Sequence, residues 1–171
     1  PDNRATIVVT IPPGEDVPLI YNKATTPLEG KFSMQFCVAS AIVDGKIDFD
    51  TFTSKNVARH QVQQLSDKVL VVTDENQAPV VIDSGGHVTV TITMKDGSSM
   101  DRRISKATGT PTYPLSDHEL NEKFTACASK AIDSKEIEKA LERIYSLDYV
   151  TTVAQLMEPL CPSLLVGVNH D

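Results

Sequence analysis

Apolar positions recur along the chain with two different periods. One is the alternation of a strand and the other is the 3.6-residue repeat of a helix. Arg4 to Ile11 carries the β-branched run Thr6-Ile7-Val8-Val9-Thr10-Ile11 and stops at Pro12-Pro13-Gly14, which predicts a strand. Lys68 to Thr73 predicts a second, through Val69-Leu70-Val71-Val72. From His87 to Met94 the chain alternates strictly. Val88, Val90, Ile92 and Met94 fall on one face and Thr89, Thr91 and Thr93 on the other, as in a half-buried strand. Lys95-Asp96-Gly97-Ser98 is a turn signal, so Ser99 to Ser105 is expected to return as the hairpin partner. Its weak alternation suits an edge strand.

Glu29 to Val43 reads as one helix. Phe32, Phe36, Ala39 and Val43 share a face, and Gly45 follows as a stop signal. A second helix is expected over Asn56 to Ser66, capped by Ser54. Between the first strand and the first helix, residues 12 to 28 hold Pro12, Pro13, Pro18 and Pro27 in a long loop of the kind that often carries function. After Pro114 the pattern turns helical. Ser116-Asp117-His118-Glu119 is a capping box opening a helix to Ile132, Ser134 caps Lys135 to Ser146, and Val153 to Met157 is a short third helix ending at Pro159. The tail from Pro162 to Asp171 has no clear pattern.

The expected fold class is therefore α+β. A small, mostly antiparallel sheet with two helices occupies residues 1–113, and a C-terminal helical segment occupies 114–171. Leu120, Phe124 and Ala131, with Ile137, Leu141 and Ile144, form apolar helix faces that must leave water. Either they fold back on this chain's own sheet or they pair with a second copy. Self-association through residues 116–158 is the expectation, giving a homo-oligomer.

Length and composition narrow the possible functions. The 171 residues suffice for a real core, and 40% hydrophobic with 23% charged residues is ordinary globular composition. With 16 Lys+Arg against 23 Asp+Glu the net charge is −7, and no dense basic run is present, so nucleic acid is not an expected partner. The longest mostly apolar stretch, Val38 to Val43, is too short to span a bilayer, so no membrane role is expected. The chain opens on Pro1 without a signal-peptide pattern, which reads as a fragment of a longer protein. Cys37, Cys127 and Cys161 are odd in number and far apart, which argues against a disulfide framework and for a reducing cytoplasm.

Most chemical motifs are missing. His60, His87, His118 and His170 show no metal-ligand spacing, so no metal is expected. Gly85-Gly86 precedes a strand, which is turn chemistry and not a phosphate cradle. His118 reads as a solvated first-turn residue and Cys37 as a small core residue. The segment with functional character is Thr26 to Gln35. There a proline-rich loop enters a helix whose first turns carry Lys31, Ser33 and Gln35. A helix start offers N–H groups and a positive dipole end to a carboxylate, while Lys adds a point charge and Ser and Gln add hydrogen bonds. By pattern alone, an ordinary polar helix start is the simpler reading.

The same segment, however, carries a resemblance. Phe32-Ser33-Met34-Gln35-Phe36 followed by Ala39, Ala41 and Asp44-Gly45 resembles the F-S-x-Q-(Y/F)…A…A…D-G signature of the MmgE/PrpD family. Leu65-Ser66-Asp67-Lys68-Val69 resembles its L-x-x-K-V element, and Val88 to Gly97 its hairpin. Pro114-Leu115-Ser116 with Leu120, Lys123 and Phe124 resembles its P-L-S-x-x-x-L-x-x-K-F element. The resemblance implies the C-terminal part of a lyase or isomerase that acts on small di- and tricarboxylates. Relevant activities are those of 2-methylcitrate dehydratase, cis-aconitate decarboxylase and iminodisuccinate epimerase, with no cofactor. It also implies a lid-like α+β domain, helices that return to a separate N-terminal helical domain absent here, and an active site in the cleft between. Lys31, Ser33, Gln35 and Phe36 would bind substrate, with no catalytic residue in this chain and no activity alone. Phe36 departs from the family's frequent Tyr, and Phe cannot donate a proton. The alternative is a standalone, non-catalytic module that binds a ligand or partner.

Overall fold

A computed structural model of the chain describes residues 3–79 and 86–161. Gly85 and the tail from Pro162 lie outside the described residues. The chain divides into two compact units, Pro1–Pro114 and Leu115–Asp171.

The first unit is built on four strands, β1 (Arg4–Ile11), β2 (Val69–Thr73), β3 (Val88–Met94) and β4 (Ser99–Ile104). They lie in the order β2-β1-β3-β4. β1 runs parallel to β2 and antiparallel to β3, and β3 runs antiparallel to β4, so the sheet is mixed. A parallel pair needs a long crossover. Here the crossover carries four helices, α1 (Pro27–Lys31), α2 (Met34–Asp44), α3 (Ser54–Val57) and α4 (His60–Ser66), with a 3-10 turn at Asp50–Phe52.

The alternation of β1 decides where the core sits. Ile7, Val9 and Ile11 point to one face and are fully buried. Phe36 and Ala39 of α2, Val57 of α3, and Val62 and Leu65 of α4 close over them. On the other face Leu70 and Val72 of β2 are exposed. Every residue of β4 is exposed, as an edge strand with Asp101, Arg102 and Arg103 requires. The turn before it places Gly97 at φ 87°, a left-handed conformation that glycine adopts without strain.

The helical expectations need correction. The single helix over Glu29 to Val43 is two helices, and the region holds four helices instead of two. The break falls at Phe32-Ser33. Ser33 is extended (φ −124°, ψ 112°) and its Oγ accepts from Phe36 N at 3.2 Å, so a side chain takes the place of a helical carbonyl. Thr26 caps α1 in a second capping box with Glu29, and Pro27 occupies a first-turn position that needs no donor. The helix over Asn56 to Ser66 is likewise broken, at Ala58-Arg59, and its cap is Thr53. Gly45, at φ 73°, ends α2 where the stop signal stood.

The second unit contains α5 (Asp117–Ala128), α6 (Ser134–Tyr145) and α7 (Val153–Met157). α5 stops four residues before Ile132, and the cap of α6 is Asp133 in place of Ser134. Ile137, Ala140 and Pro159 are buried at its centre. Arg143 ties α6 to α7 and to the turn after α7. It donates to the carbonyl of Gln155 and, at 2.8 Å, to Glu158. Tyr145 Oη donates to Asn121 Oδ1 at 2.8 Å and joins α6 to α5. Leu120, Ile144, Leu147, Tyr149 and Val153 remain exposed.

Ile7 is at the centre of the sheet with no exposed surface. Ile7→Ala is expected to cost about 2–5 kcal/mol through lost burial and a residual cavity. Urea denaturation followed by circular dichroism reads this, and an unchanged midpoint would place the core elsewhere.

Candidate functional site

The proline-rich loop after β1 is tied down at several points. Tyr21 N donates to the carbonyl of Phe32 at 3.1 Å, so the loop lies along the α1–α2 break. Gln35 Nε2 donates to Asn22 Oδ1 at 3.3 Å. Lys23 Nζ reaches Asp67 Oδ1 at 3.3 Å. Glu29 accepts from Thr25 N and Thr25 Oγ1, both at 2.7 Å, and from Thr26 N at 3.2 Å. Those bonds, the Thr25 hydroxyl first, hold its carboxyl below its ordinary value.

Between this loop, the start of α2 and the end of β2 lies a cavity of about 310 Å³. Asp16, Asn22, Gln35 and Thr73 give it polar walls, and Leu19, Ile20, Met34 and Val71 the apolar ones. Met34 and Gln35 are the first two residues of α2, so the helix start borders the cavity. Its lining carries amides, a hydroxyl and one carboxylate. It can position a polar ligand by hydrogen bonds, but it presents no His or Lys to take a proton.

The four expected site residues separate in space. Gln35 lines the cavity. Lys31 is exposed and ends α1, so it sits at a helix C-terminus and not in the first turn of a longer helix. Ser33 is fully buried, and its hydroxyl is used in capping α2. Phe36 is fully buried and packs at 6.2 Å between ring centroids on Phe52. Its ring also lies against Gly30, where an added Cβ would come within 3.1 Å. Neither Ser33 nor Phe36 lines the cavity. Asp16, Asn22 and Thr73 do, and periodicity did not single them out, because a loop and a strand end have no period to read.

The Asp44-Gly45 part of the signature is structural in character. Arg59 Nη1 donates to Asp44 Oδ1 at 2.8 Å, with a second bond from Nη2 to Oδ2, so α2 is clasped to the α3–α4 break. Hydrogen bonding by Arg59 holds the Asp44 carboxyl below its ordinary value. Asp48, bonded by Lys46 and by Thr51 N, is held at about 2. Burial pushes the Cys37 thiol up, and its Sγ donates to the Gly30 carbonyl at 3.3 Å, as a packed cysteine does. His118 is exposed on α5. Among the described residues no three His, Cys, Asp or Glu side chains gather to hold a metal.

The MmgE/PrpD C-terminal domain profile matches residues 1–154. The chain belongs to the MmgE/PrpD family. It is 28% identical over 133 residues to the cis-aconitate decarboxylase of Mus musculus, covering 76% of this chain and 27% of that protein. It is also 28% identical over 120 residues to the cis-aconitate decarboxylase of Homo sapiens, covering 70% of this chain and 24% of that protein. The chain thus spans about a quarter of the length of these curated relatives. Among the described residues no helix is long and apolar enough to cross a membrane.

Phe36→Tyr tests how this member of the family uses the signature. A hydroxyl forced into the Phe36 site without a partner should cost about 1–3 kcal/mol, measured as a lowered denaturation midpoint. A neutral substitution would put the ring edge at a wet boundary. Acid should weaken the first unit as well. The folded values of Asp44 and Asp48 are depressed, so their contribution is present above the ordinary 3.8 and lost as pH falls toward about 2. Asp44→Asn with Asp48→Asn should flatten the fall in stability between pH 5 and about 2, measured by denaturant titration; an equally steep fall would assign acid sensitivity to other carboxylates.

Proposed function

We propose that this chain is the smaller, α+β part of an MmgE/PrpD lyase or isomerase acting on a small di- or tricarboxylate. It forms one wall of the substrate cleft and turns nothing over alone. The observation that carries this reading is the cavity at the start of α2, which has Gln35 and the first turn of α2 on its border and no Lys, Arg or His in its lining. Removing a proton beside a carboxylate needs a positioned base and a stabilised enolate-like anion. This wall contributes to the second need. Helix N–H groups and the Gln35 amide suit developing negative charge. The base and the remaining cations come from a helical domain elsewhere in the parent protein, in keeping with a chain that spans about a quarter of its relatives.

Gln35 binds substrate from the cavity wall in this reading, Lys31 adds its charge from the end of α1 outside that lining, and Ser33 and Phe36 stand behind them. Ser33 fixes where α2 begins, and Phe36 anchors that turn on the core. Phe36 supplies no proton, so any acid acting at this wall belongs to another side chain.

The test compares the purified chain with the full-length parent, using cis-aconitate and 2-methylcitrate as substrates. The chain alone should show no dehydration, decarboxylation or epimerisation. In the parent, Gln35→Ala and Lys31→Ala should each lower kcat/KM about tenfold, on the order of 1.4 kcal/mol. Turnover by the isolated chain overturns the division of labour. An unchanged kcat/KM in a variant removes that residue from the site.

A further inference from the structure

The lining of the Gln35 cavity carries one charged side chain, and it is negative. Asp16 stands there beside the polar groups of Asn22, Gln35 and Thr73. Backbone bonds fix its place in the loop. Glu15 N donates to Pro12 O at 3.4 Å, Leu19 N to Asp16 O at 2.8 Å, and Tyr21 N to Phe32 O at 3.1 Å. Lys23, the cation that follows in the same loop, is engaged with Asp67. Among the described residues the Asp16 carboxylate itself forms no hydrogen bond or ion pair.

The polar groups of this wall differ in what they can do. Gln35 Nε2 donates to Asn22 Oδ1 at 3.3 Å, and the two amides retain further N–H groups once that bond is made. The Thr73 hydroxyl both donates and accepts. An ionised carboxylate such as Asp16 only accepts. The carboxylates of a substrate also only accept, so the amides suit them and Asp16 repels them. Leu19, Ile20, Met34 and Val71 bring no side-chain N–H or O–H to offset that repulsion. A polycarboxylate therefore fits this wall best with a hydrogen-bond donor turned to Asp16, either a hydroxyl or an ammonium on a carbon between its carboxylates.

We propose that Asp16 selects, among small polycarboxylates, those that carry such a donor and turns away skeletons that lack one. The selection rests on the wall function proposed above and narrows its substrate class. The ¹⁵N-labelled chain is titrated with two matched sets of acids at constant ionic strength, every carboxyl ionised. Citrate and tricarballylate differ by a hydroxyl. Malate, aspartate and succinate share one skeleton and carry a hydroxyl, an ammonium or neither. Shifts at Met34, Gln35 and the Asn22 side-chain amide should saturate. Citrate should bind about tenfold tighter than tricarballylate, the ratio that one hydrogen bond to a charged acceptor supplies. Malate and aspartate should each bind tighter than succinate, and the tighter of the two assigns the preferred donor as hydroxyl or ammonium. Asp16 is exposed, so Asp16→Ala keeps the fold, and it should bring citrate and tricarballylate to equal affinity. Equal affinity of donor-bearing and donor-free acids in either set, or a lead for citrate that survives in Asp16→Ala, would overturn the selection and leave the wall function intact. No saturable shift at Gln35 with any of the acids would overturn the wall function, and the selection with it.

Discussion

The burial of one face of β1 is the constraint on which the first unit depends. β1 lies between β2 and β3, so its backbone groups are paired on both edges, and Ile7, Val9 and Ile11 are sealed from water. A strand paired on both edges with a dry face admits no register slip, since a one-residue shift would send these three side chains to the other face. The crossover helices must then bring apolar residues to that face. Phe36, Ala39, Val57, Val62 and Leu65 are those residues.

The same constraint positions the candidate site. α2 must dock Phe36 on the core, and Gly30 gives the ring its space. That docking fixes the start of α2, and the start of α2 borders the cavity. A helix unbroken from residue 29 to 43 would not begin there. The Ser33 cap is therefore what turns an amphipathic stretch into a helix start facing polar groups. Polar chemistry and core packing are carried by neighbouring residues, Gln35 facing the cavity and Phe36 the interior.

Charge is distributed by the strand ends. Where β1 and β2 finish, the cavity holds amides and Asp16; where they begin, another holds Arg4, Lys68 and Lys95. A parallel pair separates its starts from its ends, so two chemically different surfaces lie at opposite edges of one small sheet. Between the helices, the Asp44–Arg59 clasp and the hydrogen bond from Thr51 N to Asp48 fasten the crossover without reaching either cavity.

The strands, the α+β class and the family were legible in the order of residues alone. Alternation over 88 to 94, the β-branched run of β1, the Gly97 turn and the Gly45 stop are local signals that need no partner to act. The chain also contains the Thr26-Pro27-x-Glu29 capping box, a sign that a helix begins at Pro27. Other features exist only once the chain has packed. Phe36 shares one helical face with Ala39 and Val43 whether that face meets a core or a cleft, so only packing against Phe52 and Gly30 settles its place. Lys31 and Gln35 are one helical turn apart in sequence, but a backbone break between them, stabilised by the Ser33 hydroxyl, puts one at a helix end and the other at a helix start. Asp16, Asn22 and Thr73 meet because a loop folds back beside a strand end, and no periodic pattern records a contact between such distant segments.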